Sequence, residues 1–155
     1  MVDEIKVAPI KNGTVIDHIN PGQGANVLKI LGVNANTIDS TVIVGMLVYS
    51  EKAESKKKDI VKIEDRELDQ STVDKIALIS PNATIVIIRD YKVVNKYRVD
   101  IGDHVKGLVR CSNPNCITNK GEPITPEFEV ISKDPQILRC SYCERILTDI
   151  SEHLL

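Results

Sequence analysis

The chain has 155 residues, 42% hydrophobic and 27% charged, and its 20 Lys and Arg against 22 Asp and Glu leave a formal net charge of −2. These proportions exclude an intrinsically disordered or fibrous chain and suit one domain or two small ones. With no Trp, one Phe and four Tyr, the sequence lacks the basic, aromatic-bearing surface that marks most nucleic-acid binders.

No apolar run approaches the roughly 20 residues of a membrane-spanning helix, and Met1 to Lys6 is mixed in charge with no signal-like core. A cytoplasmic protein that engages neither membrane nor nucleic acid is expected.

In chain order, Ile5 to Ile10 reads as a short strand, Asn12-Gly13 as a hairpin dipeptide and Thr14 to Ile19 as the returning strand. Pro21 to Gly24 forms a turn. Val27, Leu28, Ile30 and Leu31 follow as a short helix that Gly32 closes. Thr41 to Val48 is β-branched and almost wholly apolar, as expected of a central strand covered on both faces or of a strand at an interface.

Tyr49 to Lys58 reads as a charged loop, and Asp59 to Glu64 alternates with period two, as a strand does. Asp69 or Ser71 can cap a second helix carrying Val73, Ile76 and Ala77 on one face and ended by Pro81. Thr84 to Arg89 and Tyr91 to Val99 supply two further strands. After the opening strand the order is β-α-β-β-α-β with one additional strand. This is the split βαβ, ferredoxin-like sandwich of two helices on an antiparallel sheet, an α+β fold.

The polar run Asp100 to His104 separates this Cys-free unit, residues 1–100, from a second unit, residues 104–155, that holds all four cysteines. A piece of about 50 residues rarely buries enough apolar surface to stand alone, and a structural metal is one remedy. Cys111 and Cys116 are separated by four residues and Cys140 and Cys143 by two. Two short loops each giving two thiolates fit one closed tetrahedral site, which predicts a β-rich domain stapled by a single structural Zn²⁺. Residues 104–155 carry six Lys and Arg against seven Asp and Glu. That balance lacks the cationic excess that nucleic-acid affinity draws on, so a protein partner is expected, with a zinc-ribbon nucleic-acid-binding accessory protein as the alternative.

The first unit has three cationic places: Lys56 to Lys58, Lys62, and the set Lys92, Lys96 and Arg98. On a strand Lys96 and Arg98 point to one side about 6.5 Å apart, suited to a phosphate chain or to guarding an edge strand. Lys56 to Lys58 reads as a solvated loop. Asp17 and His18 are neighbours, so regular alternation turns them to opposite faces unless the strand twists or ends there, and a hydrogen-bonded structural pair explains them as well. No catalytic triad, Gly-rich phosphate loop or pair of catalytic carboxylates stands out. A metal-dependent hydrolase would need an open metal position and an acid or base that are not visible.

Lys11 to Ile19 (KNGTVIDHI), Lys58 to Glu64 (KDIVKIE), Tyr91 to Arg98 (YKVVNKYR), Cys111 to Ile117 (CSNPNCI) and Cys140 to Glu144 (CSYCE) together resemble the regulatory chain of aspartate carbamoyltransferase. The resemblance spans nearly the whole chain. It implies a non-catalytic subunit of the enzyme that commits carbamoyl phosphate and aspartate to pyrimidine synthesis, with regulatory homodimers bridging catalytic trimers in an assembly of two trimers and three dimers.

It further implies that the N-terminal unit binds CTP or ATP and that the zinc unit docks on the catalytic chain. Asp17 and Lys62 would face the ribose, and His18, Lys96 and Arg98 the triphosphate. Backbone groups of Val7, Ala8, Pro9, Ile10, Tyr91 and Val93 would read the base. Asn113, Asn115 and Glu144 are the docking residues the resemblance carries over. The chain departs from the family pattern at Ala8, Pro9, Val86 and Ser141.

Overall fold

The computed structural model describes residues 9–33, 40–51, 53 and 56–155. Five strands form an antiparallel sheet: β1 (Gly13–Ile19), β2 (Val42–Tyr49), β3 (Lys57–Glu64), β4 (Thr84–Arg89) and β5 (Lys92–Arg98), in the spatial order β2-β3-β1-β4-β5. Helices α1 (Gly24–Leu31) and α2 (Gln70–Ile79) follow β1 and β3. This is the expected sandwich with one added strand, β5.

The central position belongs to β1, whose Gly13 to Ile16 are all buried. The apolar run from Val42 is instead an edge strand, with Val44, Met46, Leu47 and Tyr49 exposed. An all-apolar, β-branched run is written alike for a strand covered by its own chain and for one left to a partner. Of the two expectations for this run, the covered central strand gives way to an exposed edge.

The opening strand expected at Ile5 to Ile10 falls largely outside the described residues, and Pro9 and Ile10 are not in a strand. Asn12-Gly13 does not turn a hairpin. Asn12 O accepts from Asp65 N at 2.9 Å, Asn12 Oδ1 accepts from Asp90 N at 3.0 Å, and Lys11 O accepts from Tyr91 N at 2.8 Å. The segment therefore stitches the end of β3 to the β4–β5 turn. Gly13 is required at its φ of 143° because a Cβ there would lie 2.2 Å from Ile63 O. The two-residue β4–β5 turn has both Asp90 and Tyr91 at positive φ, 53° and 65°, the geometry that matches strand twist.

Each helix end is satisfied. Asp69 accepts from Thr72 N at 2.8 Å and starts α2. Gly32, at φ 74°, ends α1. The α1 N-terminus has no cap of its own and borrows one: Asp59 on β3, fully buried, accepts from Gly22 N at 3.0 Å and Gly24 N at 2.8 Å. Its other oxygen accepts from Leu47 N at 2.9 Å, where β2 bulges with Leu47 at φ 55°.

Ile16, Ile19, Val61 and Ile85 on the sheet pack under Val27, Leu31, Val73, Ile76 and Leu78 of the helices. The opposite sheet face carries a smaller apolar cluster of Ile10, Val15, Ile60 and Val86.

The C-terminal part is a second antiparallel sheet, β6 (His104–Lys106), β7 (Glu127–Lys133), β8 (Gln136–Cys140) and β9 (Ile146–Leu147), neighbours in that order. Phe128, Leu138, Leu147 and Val109 form its interior, which is continuous with the helix-covered core of the first sheet. Among the described residues no helix is long and apolar enough to cross a membrane.

Replacing Asp59 with Ala leaves three backbone N–H groups without their acceptor, and buried polar groups left in this way cost about 1–3 kcal/mol each. Because part of that is recovered by water, urea unfolding should show a loss of about 3 kcal/mol for Asp59→Ala and a smaller loss for Asp59→Asn, which keeps one acceptor oxygen.

Candidate functional site

Two places in the chain gather chemistry. The first is the cysteine cluster. Cys111 and Cys116 lie on the loop after Val109, and Cys140 ends β8 with Cys143 three residues on. Their four Sγ atoms lie within 4.8 Å of one another. Cys111 and Cys143 are 3.6 Å apart at sulfur, and Cys116 and Cys140 are 3.7 Å apart, far beyond a disulfide bond. An ion holding four sulfurs tetrahedrally at about 2.3 Å would space them about 3.8 Å apart. The cluster therefore fits a closed four-sulfur ion, with no coordination position left for a substrate.

The loops around it are built to hold the sulfurs. Asn113 N donates to Cys111 Sγ at 3.5 Å and Thr118 Oγ1 to Cys116 Sγ at 3.1 Å. Asn119 Nδ2 ties the long loop through the carbonyls of Cys111 and Asn113, at 2.9 and 2.8 Å. Asn113 Oδ1 accepts from Asn115 N at 3.0 Å in an Asx turn. In the short loop Glu144, at φ 66°, donates its N–H to Cys140 O, and Cys140 N donates to Arg145 O.

Burial pushes the Cys111 thiol up to about 12 and raises that of Cys140 as well. At Cys143 burial again pushes upward, but the Arg145 N–H, the Asn113 side chain and neighbouring thiols bring it to about 7. Four sulfurs this close ionise together only when a cation compensates them. Asn115 and Glu144 are exposed and Asn113 half-buried on these two loops, so the three expected docking residues flank the cluster.

The second place is the sheet face away from the helices. Strand register sets Lys62, Val15, Val86 and Lys96 in one row across β3, β1, β4 and β5, and Asp17, Thr84 and Arg98 in the next. Lys62 and Lys96 thus share a face, three strand spacings or about 14 Å apart at the backbone.

At one end of this face lies a cavity of about 600 Å³. Lys57, Lys58, Lys96 and Arg98 form its cationic walls, His18, Asn20, Asn82 and Thr84 are further polar neighbours, and Asp134 reaches it from the β7–β8 turn. Regular alternation between Asp17 and His18 is broken. A register shift falls between Ile16 and Ile19, and His18 sits at φ 52°. Both side chains therefore reach one neighbourhood, with His18 Nε2 3.8 Å from Asp17 Oδ2.

Asp17 Oδ1 meets Lys58 Nζ at 2.9 Å and accepts from His18 N at 2.7 Å. Burial pushes the Asp17 carboxyl upward, but the Lys58 and His18 hydrogen bonds with their charges outweigh it and hold it below its ordinary 3.8. Arg98 Nη2 donates to Asn82 Oδ1 at 2.7 Å.

Of the residues expected from sequence, His18, Lys96 and Arg98 share the cavity, Asp17 adjoins it through Lys58, and Lys62 lies one row along. Val93 lies opposite Ile88, four residues along β4 from Thr84, hence about 13 Å from the Arg98 row. Tyr91 is exposed at the turn, its N–H already given to Lys11 O. Ile10 is buried beside Val15 and Val86, Pro9 is exposed, and Val7 and Ala8 lie outside the described residues.

Sequence reasoning missed Lys58, read as solvated loop, although it is nearly buried and walls the cavity. Extending the alternation of Lys62 and Ile60 back by two positions would have placed it there. Asp134 left no signal, because only the packing of the second sheet on the first brings it near.

Two family models match the chain. One, described as aspartate carbamoyltransferase regulatory chain, allosteric domain, covers residues 5–100. The other, the metal binding domain of the same regulatory chain, covers residues 103–151. Among similar proteins, the aspartate carbamoyltransferase regulatory chain of Methanothrix thermoacetophila is 58% identical, over 98% of this chain and 97% of its own. That of Methanocella arvoryzae is 56% identical over 98% and 97%, and that of Pyrococcus abyssi 51% identical over 94% of each.

The depressed Asp17 carboxyl gives a pH signature. A carboxyl whose folded pKa is lowered stabilises the fold above its unfolded value and loses that contribution as pH falls through the folded one. Asp17→Asn should therefore be less stable than the natural chain at pH 7. The difference should shrink as pH falls from about 4 downward, read from urea midpoints at successive pH values. Cys140→Ser should lose tightly held metal, and amide exchange should then open β6 to β9 well before β1, β3 and β4.

Proposed function

The chain belongs to the family of aspartate carbamoyltransferase regulatory chains, and from that premise we propose that it binds a nucleoside triphosphate on the open sheet face and passes its effect to the catalytic chain through a zinc-held docking unit. The chain is regulatory and not catalytic, its second unit is metal-binding, and its partner is the catalytic chain of the same enzyme.

The observation that carries the nucleotide reading is the convergence of His18, Lys58, Lys96 and Arg98 on one cavity beside an elongated, partly apolar face. A triphosphate is polyanionic at one end and planar at the other. In this reading its phosphates lie among His18, Lys58, Lys96 and Arg98, and its ribose near Asp17 and Lys62. The base lies toward Ile10, Tyr91 and Val93, and Val7, Ala8 and Pro9 are proposed to take part in reading it. The span of about 13 Å from the Arg98 row to the Val93 row suits a ligand of that length. CTP and ATP are the effectors proposed.

Zinc is the metal proposed, since an all-thiolate, closed tetrahedral donor set is its ordinary structural site. It supplies folding free energy and no chemistry. The knuckle loops it holds present Asn113, Asn115 and Glu144 together with exposed Ile117 and Tyr142, a mixed polar and apolar surface suited to gripping the catalytic chain.

The exposed apolar edge β2 is the surface proposed for pairing two regulatory chains, because an edge that is unpaired among the described residues and bears Val44, Met46 and Tyr49 is otherwise an aggregation hazard. Two catalytic trimers bridged by three such dimers, acting in cytoplasmic pyrimidine biosynthesis, complete the reading. Nucleotide binding shifts the assembly by its differential affinity for two states, a coupling of about 1–3 kcal/mol in typical cases.

Titration calorimetry of CTP and ATP against the assembled enzyme tests the site. Replacing Lys96 and Arg98 together with Ala should weaken both nucleotides by at least about tenfold, since each is a charge-assisted phosphate contact. Unchanged affinity would move the ligand elsewhere. Chelation should detach the catalytic trimer while nucleotide binding by the released regulatory chain persists, which gel filtration with a labelled nucleotide can follow.

A further inference from the structure

Asp134 belongs to the metal-binding unit, at the turn between β7 and β8, yet it lines the cationic cavity of the first unit. Its Oδ2 accepts from Asn82 Nδ2 at 3.2 Å, and Asn82 Oδ1 accepts from Arg98 Nη2 at 2.7 Å. One amide therefore links a carboxylate of one domain to a cavity arginine of the other. The amide holds both ends because its two polar atoms face opposite ways, donor to Asp134 and acceptor from Arg98.

The same turn has two further attachments. Lys133 Nζ lies 3.1 Å from Asp100 Oδ1, both well exposed. Gln136 Nε2 donates to Ala77 O at 2.9 Å, while Gln136 Oε1 is buried without a hydrogen-bond partner among the described residues. Exposed ion pairs hold weakly, and a buried amide oxygen left unpaired opposes the seat it occupies. The hairpin is thus held against the first domain by contacts that a modest force can shift. A negative charge on the rim of a cavity built for anions supplies that force when the cavity fills.

We propose that Asp134 is the charge-sensing residue of the anion cavity, opposing polyphosphate in proportion to its charge and linking occupancy of the cavity to the seating of the β7–β8 hairpin of the metal-binding domain. This rests on the nucleotide reading above. Phosphates drawn to Lys96 and Arg98 compete with Asn82 for the guanidinium and repel the Asp134 carboxylate, so both links of the relay weaken together. By reciprocity, whatever holds the hairpin in its seat weakens polyphosphate binding by the same factor.

Asp134→Asn separates this from a merely structural contact, because the amide oxygen still accepts from Asn82 and only the charge is lost. In the enzyme reconstituted with its catalytic chain, ATP, ADP and AMP are titrated at low and moderate salt. The variant should bind ATP about three- to tenfold more tightly, ADP less so and AMP within about twofold, with the gain shrinking as salt rises. The shift in aspartate saturation produced by ATP should fall in parallel. Asp134→Ala, which also removes the Asn82 contact, should show the same ordering among the three nucleotides.

An equal change for all three nucleotides, no change, or weaker ATP binding would overturn the proposal while leaving the site intact. If the natural assembly bound no nucleoside triphosphate, the site reading would fail and this inference with it. Retained metal content and an unshifted melting temperature in each variant show that a changed affinity is not a folding defect.

Discussion

Two adjacent buried charges on β3, Lys58 and Asp59, hold the first domain in its working shape. They are 7% and 0% exposed and, as neighbours on a strand, face opposite sides of the sheet. On the helix side Asp59 gathers the backbone N–H groups of Gly22, Gly24 and Leu47. On the open side Lys58 holds the Asp17 carboxylate. A buried charge is costly unless partners meet it: Asp59 has three backbone donors and Lys58 has the Asp17 carboxylate. The pair therefore fixes the turn that starts α1, the β2 bulge and the floor of the cavity through two consecutive residues. Gly24 leaves little room for a side chain in this arrangement, since a Cβ there would lie 2.9 Å from Asp59 Oδ2.

The same constraint explains how an antiparallel sheet yields a site at all. A regular strand alternates its side chains, so Asp17 and His18 would diverge. The irregularity of β1 beside Lys58 and Asp59 returns both to one side, and Ile19 still reaches the core with no exposed surface. Bulges are often found where a strand must re-aim a side chain, and this one does so without unpairing its neighbours beyond one register shift. The cationic rows on β3 and β5 then need no special geometry, because the two-residue period puts Lys96 and Arg98 side by side.

How much of this could be read in the sequence follows from the range of each interaction. Gly32 after a run of apolar residues, Asp69 three residues ahead of Thr72, and the paired cysteine spacings act locally, so α1, α2 and the sulfur cluster were legible. The period of Asp59 to Glu64 gave its strand but not the role of Asp59, whose three partners lie 12 to 37 residues away. Asn12-Gly13 misled because a dipeptide suited to one turn also suits a glycine pressed against a neighbouring carbonyl, here Ile63 O. The choice between a covered and an interface strand at β2 stayed open for a related reason. Exposure of Met46 and Leu47 depends on which strand lies beside them, and composition does not encode that.

The second domain shows why a metal-held unit and a sensing unit are joined rigidly in one place and loosely in another. Val99, Val105 and Val109 continue the apolar core of the first domain into the interior around Phe128 and Leu138. The two units therefore share buried surface that gives no ground in small steps, because packed interiors resist graded deformation. Around that axis, the β7–β8 hairpin meets the first domain through exposed Lys133 and Asp134 and through an incompletely satisfied Gln136. In the proposed linkage the apolar contact acts as a pivot and the polar attachments are the ones that shift, so the shared interior stays closed to water. The sulfur cluster makes such a shift transmissible. It brings Cys111 and Cys116 of the long loop within 4.8 Å of Cys140 at the end of β8, the strand the hairpin feeds, where a bound metal would tie them together. In the proposed linkage, with a metal bound, a displacement at Asp134 is carried to the knuckle loops as a body, because a domain this small is not stiff by packing alone.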